Sequence, residues 1–565
     1  MYAYTDFDKQ FVRQRAAQYR DQLQRNLAGQ LSDDEFRPLR LQNGWYVQRH
    51  APMLRIAVPY GELNSTQLRA LARIAREFDR GYGHFTTRQN LQFNWIPLTR
   101  SADVMDALAA VNMHGIQTSG NCIRNITSDC FAGVAADEIV DPRPYCEILR
   151  QWSTLHPEFA FLPRKFKIAV SGAHEDRAAI AWHDIGLQLL KNDAGEVGFK
   201  VLVGGGMGRT PVIGTTFRDF LPWQQILVFI EAIVRVYNRY GRRDNMYKAR
   251  IKILVKAEGQ KFIDDVNKEY ANILERDLDG SAHIISQAEF DRVAAHFQLP
   301  SGVKPQPGSK LHVPSDAPIG FKRWVERNVH SHQIPGYRAV TLSLKRPGQA
   351  PGDVTDQQME LAADLADRYS SGELRVSHDQ NLVLPWVREA DLFAAWEAAR
   401  LASFATPNIG LLTDMIACPG GDFCGLANAR SIPIAAAITE RFDDLDELYD
   451  IGDIDLHISG CINSCGHHHS GHIGILGVDK DGSEWYQVTL GGLDGSAISG
   501  GSAPGKVIGP SFAADEVPDV IEAVIDTYRG QRVPSEKFID TVKRIGIDRF
   551  KAAANAQRRS TAHAA

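Results

Sequence analysis

Long apolar runs are missing from this 565-residue chain. The best candidate, "LPWQQILVFIEAIVRVY", is broken by Glu231 and Arg235, so nothing reaches the roughly 18 uninterrupted apolar residues that a membrane helix needs. The N-terminal "MYAYTDFDKQFVRQRAAQYR" has no apolar core of a secretory signal, and a cytoplasmic location is the expectation. A large charge of one sign is also missing. With a net charge of −5, the chain has no global attraction for nucleic acid or anionic membrane, so any basic site must be local. Cysteines number only seven, an odd count that argues against a disulfide framework and for thiols used in chemistry or packing. A dinucleotide fingerprint is lacking too, because "VGGGMG" has neither the spacing nor the downstream acidic partner. Electrons or hydride for any redox role must therefore come from outside the chain.

The length implies two to four domains, and an internal repeat organises them. Gln89-Asn90-Leu91 precedes Trp95 as Gln380-Asn381-Leu382 precedes Trp386, an offset of 291. "FKIAVSG" ending at Gly172 is echoed by "DLHISG" ending at Gly460, and Gly186 by Gly474, both at an offset of 288. "VLVGGGMG" and "VTLGGLDG" follow, with Gly204 matching Gly491 at 287. The chain is a diverged tandem duplication. Residues 299 to 320, rich in Pro, Gly and Ser, read as a linker between its halves. Within each half, "MLRIAVPY", "HFTTRQNLQFNWI", "FKIAVSG" and "FKVLVGGG" have strand character, whereas "NSTQLRALARIAREF" and "TDQQMELAADLADRY" have helical spacing with capping residues at their starts. Each half is a smaller strand–helix–strand unit followed by a larger α/β unit, and the tail "KAAANAQRRSTAHAA" is expected to fray.

Four cysteines fall late: Cys418 and Cys424 as C-x5-C around a Pro-Gly-Gly turn, then Cys461 and Cys465 as C-x3-C in "GCINSCGHHH". Structural zinc sites use C-x2-4-C pairs, so one pair fits zinc and the other does not. Four thiolates bordered by glycines 420, 421, 425, 460 and 466 suit an iron–sulfur cube better, since backbone can approach the sulfides and donate N–H groups to them. Packed core thiols are the plainer alternative, but core cysteines rarely arrive as two pairs in glycine-rich loops. Adjacent rings at His467, His468 and His469 cannot converge on one ion, and no metal is assigned to them.

The first half has cations instead. "LPRKFKIAV" puts Lys165 and Lys167 on one face of an expected strand, with Arg164 and Phe166 on the other. Arg88 ends the strand-like "HFTTR", and Arg124 lies in "SGNCIRNIT". Each alone reads as a solvated surface residue. Together they form a patch suited to an anion. Lys248 and Arg250 in "NMYKARIKIL" read equally well as a solvated helix face.

These segments carry a resemblance. The two cysteine pairs, "TTRQN", "CIRN", "LPRKFK" and "VGGGMG" resemble the siroheme- and [4Fe–4S]-dependent sulfite/nitrite reductases, above all the hemoprotein component of assimilatory sulfite reductase, over roughly residues 40 to 545. The resemblance implies an α+β fold in which two ferredoxin-like half-domains pair into one domain beside two α/β siroheme- and cluster-binding domains. The implied division is an N-terminal helical extension at 1–38, half-domains at 39–105 and 321–400, a siroheme/substrate domain at 106–298, the linker, a cluster-ligating domain at 401–550 and a tail at 551–565. Cys418, Cys424, Cys461 and Cys465 would hold the cluster, with Cys465 sharing its thiolate with the siroheme iron. Arg88, Arg124, Lys165 and Lys167 would bind the substrate oxyanion, and Lys248, Arg250 and Asn125 would contact siroheme.

The implied reaction is reduction of sulfite to sulfide by six electrons, drawn from ferredoxin or a separate flavoprotein subunit. Lysine at position 167, where plant-type nitrite reductases tend to have asparagine, tilts the expectation toward sulfite over nitrite. Ferredoxin-type nitrite reduction is the nearest rival. A non-catalytic iron–sulfur carrier or a zinc-stapled scaffold is more distant, since neither needs an anion pocket. In the second half the repeat puts Asp453 and Asp455 where Lys165 and Lys167 stand.

Overall fold

The computed structural model describes residues 4–559 apart from 49, 51, 155 and 277–282, so residues 1–3 of the N-terminal extension and 560–565 of the tail lie outside the described residues. Helix starts legible in the sequence are closed by reciprocal caps. Asn64 and Gln67 exchange side-chain bonds to each other's amides at 2.8 and 3.1 Å to start helix Ser65–Phe78. Thr355 and Gln358 do the same for helix Asp356–Tyr369. Such caps satisfy two amides that the helix itself leaves unpaired. Both helices turn Leu- and Ala-rich stripes into one shared core, with Leu68, Leu71 and Ala75 in the first and Met359, Ala363 and Ala366 in the second.

That core is shared because the two half-domains exchange strands. One sheet runs Trp45–Val47, Pro52–Ile56, Leu91–Phe93, Tyr82–Phe85 and then Asp353–Thr355 from the other half of the chain. The second runs Val329–His330, Tyr337–Leu342, Leu382–Arg388, Glu373–Val376 and then Glu62–Asn64, returned from the first half. Each exchanged strand covers the edge the other sheet would leave open. Buried Glu62 fixes the exchange, pairing with Arg375 at 3.0 Å and with Arg143 at 3.2 Å. The N-terminal helix Asp6–Leu27 packs on the same core through Val12, Ala16, Tyr19 and Leu23.

The two α/β domains repeat one sheet plan. In the first, Thr127–Ser128, Ile168–Ser171 and Ile185–Lys191 are parallel neighbours, followed by antiparallel Val197–Val203 and Thr215–Pro222. In the second, Ile416–Ala417, Leu456–Ser459 and Ile473–Lys480 are parallel, and Ser483–Leu490 and Lys506–Val507 are antiparallel. The repeated glycines mark close approaches of backbone: a Cβ on Gly186 would lie 2.3 Å from the Ile180 carbonyl, and one on Gly474 would lie 1.9 Å from the His468 carbonyl. Between the halves, residues 298–318 form no helix or strand. Among the described residues no helix is long and apolar enough to cross a membrane.

The repeated Gln-Asn pair joins the layers. Gln89 and Gln380 are both left-handed, with φ of 56° and 61°. The Gln89 amide donates to the Ser128 and Val376 carbonyls and accepts from the Ser128 amide. Gln380 matches it with the Phe85 and Ala417 carbonyls and the Ala417 amide. Each glutamine thus clamps both half-domains to the first strand of an α/β sheet.

Candidate active site

The stretch "HFTTRQNLQF" is a hairpin rather than one strand, so Arg88 sits in the turn between Tyr82–Phe85 and Leu91–Phe93 instead of ending a strand. Its guanidinium donates to Thr127 Oγ1 and the Asn125 carbonyl, each at 2.7 Å. Arg124 donates to the carbonyls of Thr118 at 2.8 Å and Gly120 at 2.7 Å. All these acceptors are neutral, so none of these bonds offsets a guanidinium charge, and burial pulls Arg88 down to about 9.

Lys165 and Lys167 lie just before the strand Ile168–Ser171, not within it. They flank fully buried Phe166, which forms a parallel bridge with Ile123. Neither ammonium donates to a protein acceptor among the described residues. Burial, then Lys165, Arg88 and Arg250, push Lys167 far below the usual lysine range. Burial brings Lys165 down to about 8 despite the opposing field of Cys465, with Arg250, Arg124 and Arg164 adding to the fall. Arg164, which strict alternation would put on the opposite face, therefore belongs to the same cluster.

Arg250 stands at the N-terminus of helix Ile251–Glu258, not on a helix face, and donates through Nη2 to Asp184 Oδ1 at 2.7 Å. The other Asp184 oxygen accepts from the Lys167 amide at 2.9 Å. Lys248 lies in the exposed turn before that helix and joins none of these contacts. Asn125 is buried, and its amide is used on the Val58 carbonyl and Asn90 Oδ1, so its part is to place Arg88. Arg88, Arg124, Lys165 and Lys167 thus converge, with only Asp184 as the carboxylate among the groups just described.

The cysteine loops come from the second α/β domain. Cys418 follows strand Ile416–Ala417, and Cys461 and Cys465 follow strand Leu456–Ser459. Gly460 N–H donates to Cys418 Sγ at 3.2 Å, and the Asn463 amide donates to Cys461 Sγ at 3.5 Å. Burial pushes Cys418 up to about 12 and also raises Cys424 and Cys461, and in all three Cys465 adds to the rise. Cys465 therefore sits in the field of the other three sulfurs. Among the described residues no three His, Cys, Asp or Glu side chains are placed to hold a single metal ion.

The two domains use opposite ends of equivalent strands. The first offers the N-terminal ends of its parallel strands, with the cations, and the second offers the C-terminal ends, with the thiols. The halves touch where these sets meet: Thr87 Oγ1 donates to the Cys465 carbonyl at 2.9 Å, and Ser464 Oγ lies 3.6 Å from Met207 Sδ in "VGGGMG". His469 Nε2 lies 2.8 Å from the Gly208 carbonyl, and His468 is wholly buried, consistent with a packing role for the histidine run. Lys252 ties the same glycine loop through the Met207 carbonyl at 2.6 Å. Repeat register sets Arg177 against Cys465, and Arg177 pairs with Asp129 and Asp137 at 2.8 Å. An ion-pair network fills the counterpart of the thiol site.

Residues 119–274 and 412–561 match the nitrite and sulphite reductase 4Fe-4S domain, and residues 46–111 and 333–402 match the nitrite/sulfite reductase ferredoxin-like half domain. The chain belongs to the nitrite and sulphite reductase family. It is 28% identical to the assimilatory ferredoxin-dependent nitrite reductase of Haloferax mediterranei, over 88% of this chain and 82% of that one. It is 29% identical to the chloroplastic ferredoxin–nitrite reductase of Arabidopsis thaliana, over 86% and 77%. It is 28% identical to the sulfite reductase [ferredoxin] of Mycobacterium tuberculosis, over 88% and 82%. The solved Mycobacterium tuberculosis NirA protein has the same fold, with a TM-score of 0.74 at 24% identity over 92% of each chain. This protein is an oxidoreductase of that family, whose members bind siroheme and a [4Fe–4S] cluster.

The donor set fits both groups. Cys418, Cys424 and Cys461, whose ionisation burial opposes, form with exposed Cys465 a donor set that a cationic metal–sulfide core would bind as thiolates. Lysines that meet no protein acceptor among the described residues, beside two arginines bonded to neutral groups, match a polycarboxylate macrocycle and an oxyanion. Sequence reasoning missed Asp184, Thr87 and Lys252. Asp184 was within reach, since it lies two residues before the repeat anchor Gly186, whereas Thr87 and Lys252 act through contacts with segments distant in the chain.

The titration of Lys165 gives a direct expectation. Its folded pKa is lowered to about 8, so it is charged below that pH and neutral above it. The KM for an anionic substrate should rise by about tenfold as pH increases through this range, the loss of a charge-assisted hydrogen bond worth about 1.5 kcal/mol. Steady-state KM against pH checks this, and a flat profile contradicts it.

Proposed function

We propose that the protein reduces sulfite to sulfide with electrons delivered by ferredoxin, a reading supported by its mycobacterial relatives named sulfite reductase [ferredoxin]. Cys418, Cys424, Cys461 and Cys465 would hold the cluster, and the Cys465 thiolate would be shared with siroheme. Bound together, these groups would supply the electrons for reduction one at a time.

The chain's own residues do the rest. Arg88 and Arg124 orient the oxyanion through fixed donors, Lys165 and Lys167, whose charge the bound anion favours, neutralise it and deliver protons to departing oxygens, and Arg250, braced by Asp184, would meet the macrocycle's carboxylates. Asn125 positions Arg88. The observation carrying this reading is the pair of lysines, without acceptors among the described residues, whose charge is felt by the Cys465 loop.

Nitrite reduction is the second reading, favoured by the names of the Haloferax and Arabidopsis relatives. Lys167→Asn distinguishes the two. We expect sulfite turnover to fall on the order of 10²–10³-fold, by analogy with loss of one oxyanion-stabilising donor, and nitrite turnover to fall less. Parallel assays of both anions with an artificial donor measure this, and equal losses remove Lys167 as a discriminator.

A further inference from the structure

Cys465 sits in a backbone under strain. Ser464 and His467, on either side of it, are non-glycine residues with φ of 54° and 56°. Such conformations cost about 1–3 kcal/mol each and persist only where surrounding contacts hold them. Inside the loop, the His467 amide bonds to the Ser464 carbonyl at 3.1 Å and Gly466 N–H bonds to Ser459 Oγ at 3.0 Å. The Cys465 carbonyl instead accepts from outside its domain, from Thr87 Oγ1 at 2.9 Å.

Thr87 is itself tied down. Its carbonyl lies 2.8 Å from His378 Nδ1, and because a carbonyl only accepts, this bond sets His378 as the Nδ1–H tautomer. Both residues are buried. Thr87 and His378 are also each other's counterparts in the repeat, at the offset of 291 that relates the two Gln-Asn turns. A chain of two hydrogen bonds thus runs from one half-domain through the other to the cysteine loop, across the axis that relates the halves. Burial and the adjacent cations Arg88 and Lys167 keep His378 neutral, at about 4, so it serves as a fixed donor and not as a second charge.

We infer that Thr87, oriented by His378, is a positioning residue for the reaction: its hydroxyl holds the strained Cys465 loop at the setting that couples cluster and siroheme. The inference rests on the reading of Cys465 as the shared ligand.

The test compares holoenzymes carrying Thr87→Val, Thr87→Ser, His378→Phe and His378→Asn. We expect Thr87→Val to lower kcat by about 10- to 100-fold, the usual cost of losing a partner that orients a metal ligand, with KM unchanged. It should also alter the electron paramagnetic resonance signature of siroheme–cluster coupling and speed amide hydrogen exchange across residues 461–468. Thr87→Ser, which keeps the hydroxyl, should restore all three. His378→Phe should move the readouts the same way, and His378→Asn, whose amide stands in for Nδ1–H, should restore them.

Thr87→Val and His378→Phe proteins with both cofactors, unchanged coupling and wild-type kcat overturn the inference. If Thr87→Val does not fold, the His378 pair decides by the same criteria. Cys465→Ser separates the two levels: loss of coupling there with none in Thr87→Val defeats the positioning role alone, and retained coupling in Cys465→Ser defeats the shared-ligand reading itself.

Discussion

Replacing Cys465 with serine is expected to abolish reduction of both sulfite and nitrite while leaving the folded chain intact. Cys465 is the exposed member of the four cysteines, so its sulfur contributes little to the core. Its field nevertheless reaches Cys418, Cys424 and Cys461 on one side and Lys165 and Lys167 on the other. It is the one thiol that faces both the candidate cluster and the anion pocket. Serine keeps the shape but is a poor soft ligand, and removing the thiolate severs the only covalent link proposed between electron store and substrate. The loss should exceed the 10²–10³-fold that removal of one electrostatic group costs, so that residual turnover falls below detection. Turnover, iron content, the siroheme absorption bands and thermal unfolding together check it. A Cys465→Ser enzyme retaining a tenth or so of wild-type rate contradicts the assignment.

Gly466→Ala is expected to cost a large amount of stability for a single methyl group. A Cβ at Gly466 would sit 1.9 Å from the Ile458 carbonyl oxygen and 3.1 Å from the Cys418 amide. Those two atoms bond to each other at 3.2 Å, joining strands Ile416–Ala417 and Leu456–Ser459 beneath the cysteines. Neither is the yielding end of a flexible side chain, so the loop must move away from the sheet. Overpacking of this kind costs about 1–3 kcal/mol and sometimes more, and here the displaced loop also carries Cys465. Thermal unfolding and cofactor content should fall together. Gly530→Ala is the contrasting case: nothing lies within 4 Å of its Cβ, in the helix Val517–Gln531, and the same change should stabilise by up to about 1 kcal/mol. The repeat counterpart of Gly466 is Ala178, so the half without the cysteine set tolerates the methyl group.

Helices Ser65–Phe78 and Asp356–Tyr369 were legible because their caps and apolar spacing are local. The turn at Arg88 was not. "HFTTRQNLQF" reads as one long strand since its turn residues are neither Gly nor Pro, and the reversal depends on Gln89 taking a left-handed conformation clamped by Ser128 and Val376. Alternation likewise misplaced Arg164, because the segment before Ile168 is not a strand and pairs with Ile123 through an isolated bridge at Phe166.

From sequence alone came the duplication, its register, the division of cations and thiols between the halves, and the residue types that an iron–sulfur core and an anion demand. These are properties of residue identity and spacing along the chain, which folding does not alter. Tertiary structure alone decided the strand exchange, the Asp184 brace on Arg250, and the Thr87–Cys465 contact that joins the two sets. The reason is range: Asp353 meets His84 from 269 residues away and Thr87 meets Cys465 from 378. A two- or three-residue strand carries too little pattern to name such a partner, and only the packed core brings the two together.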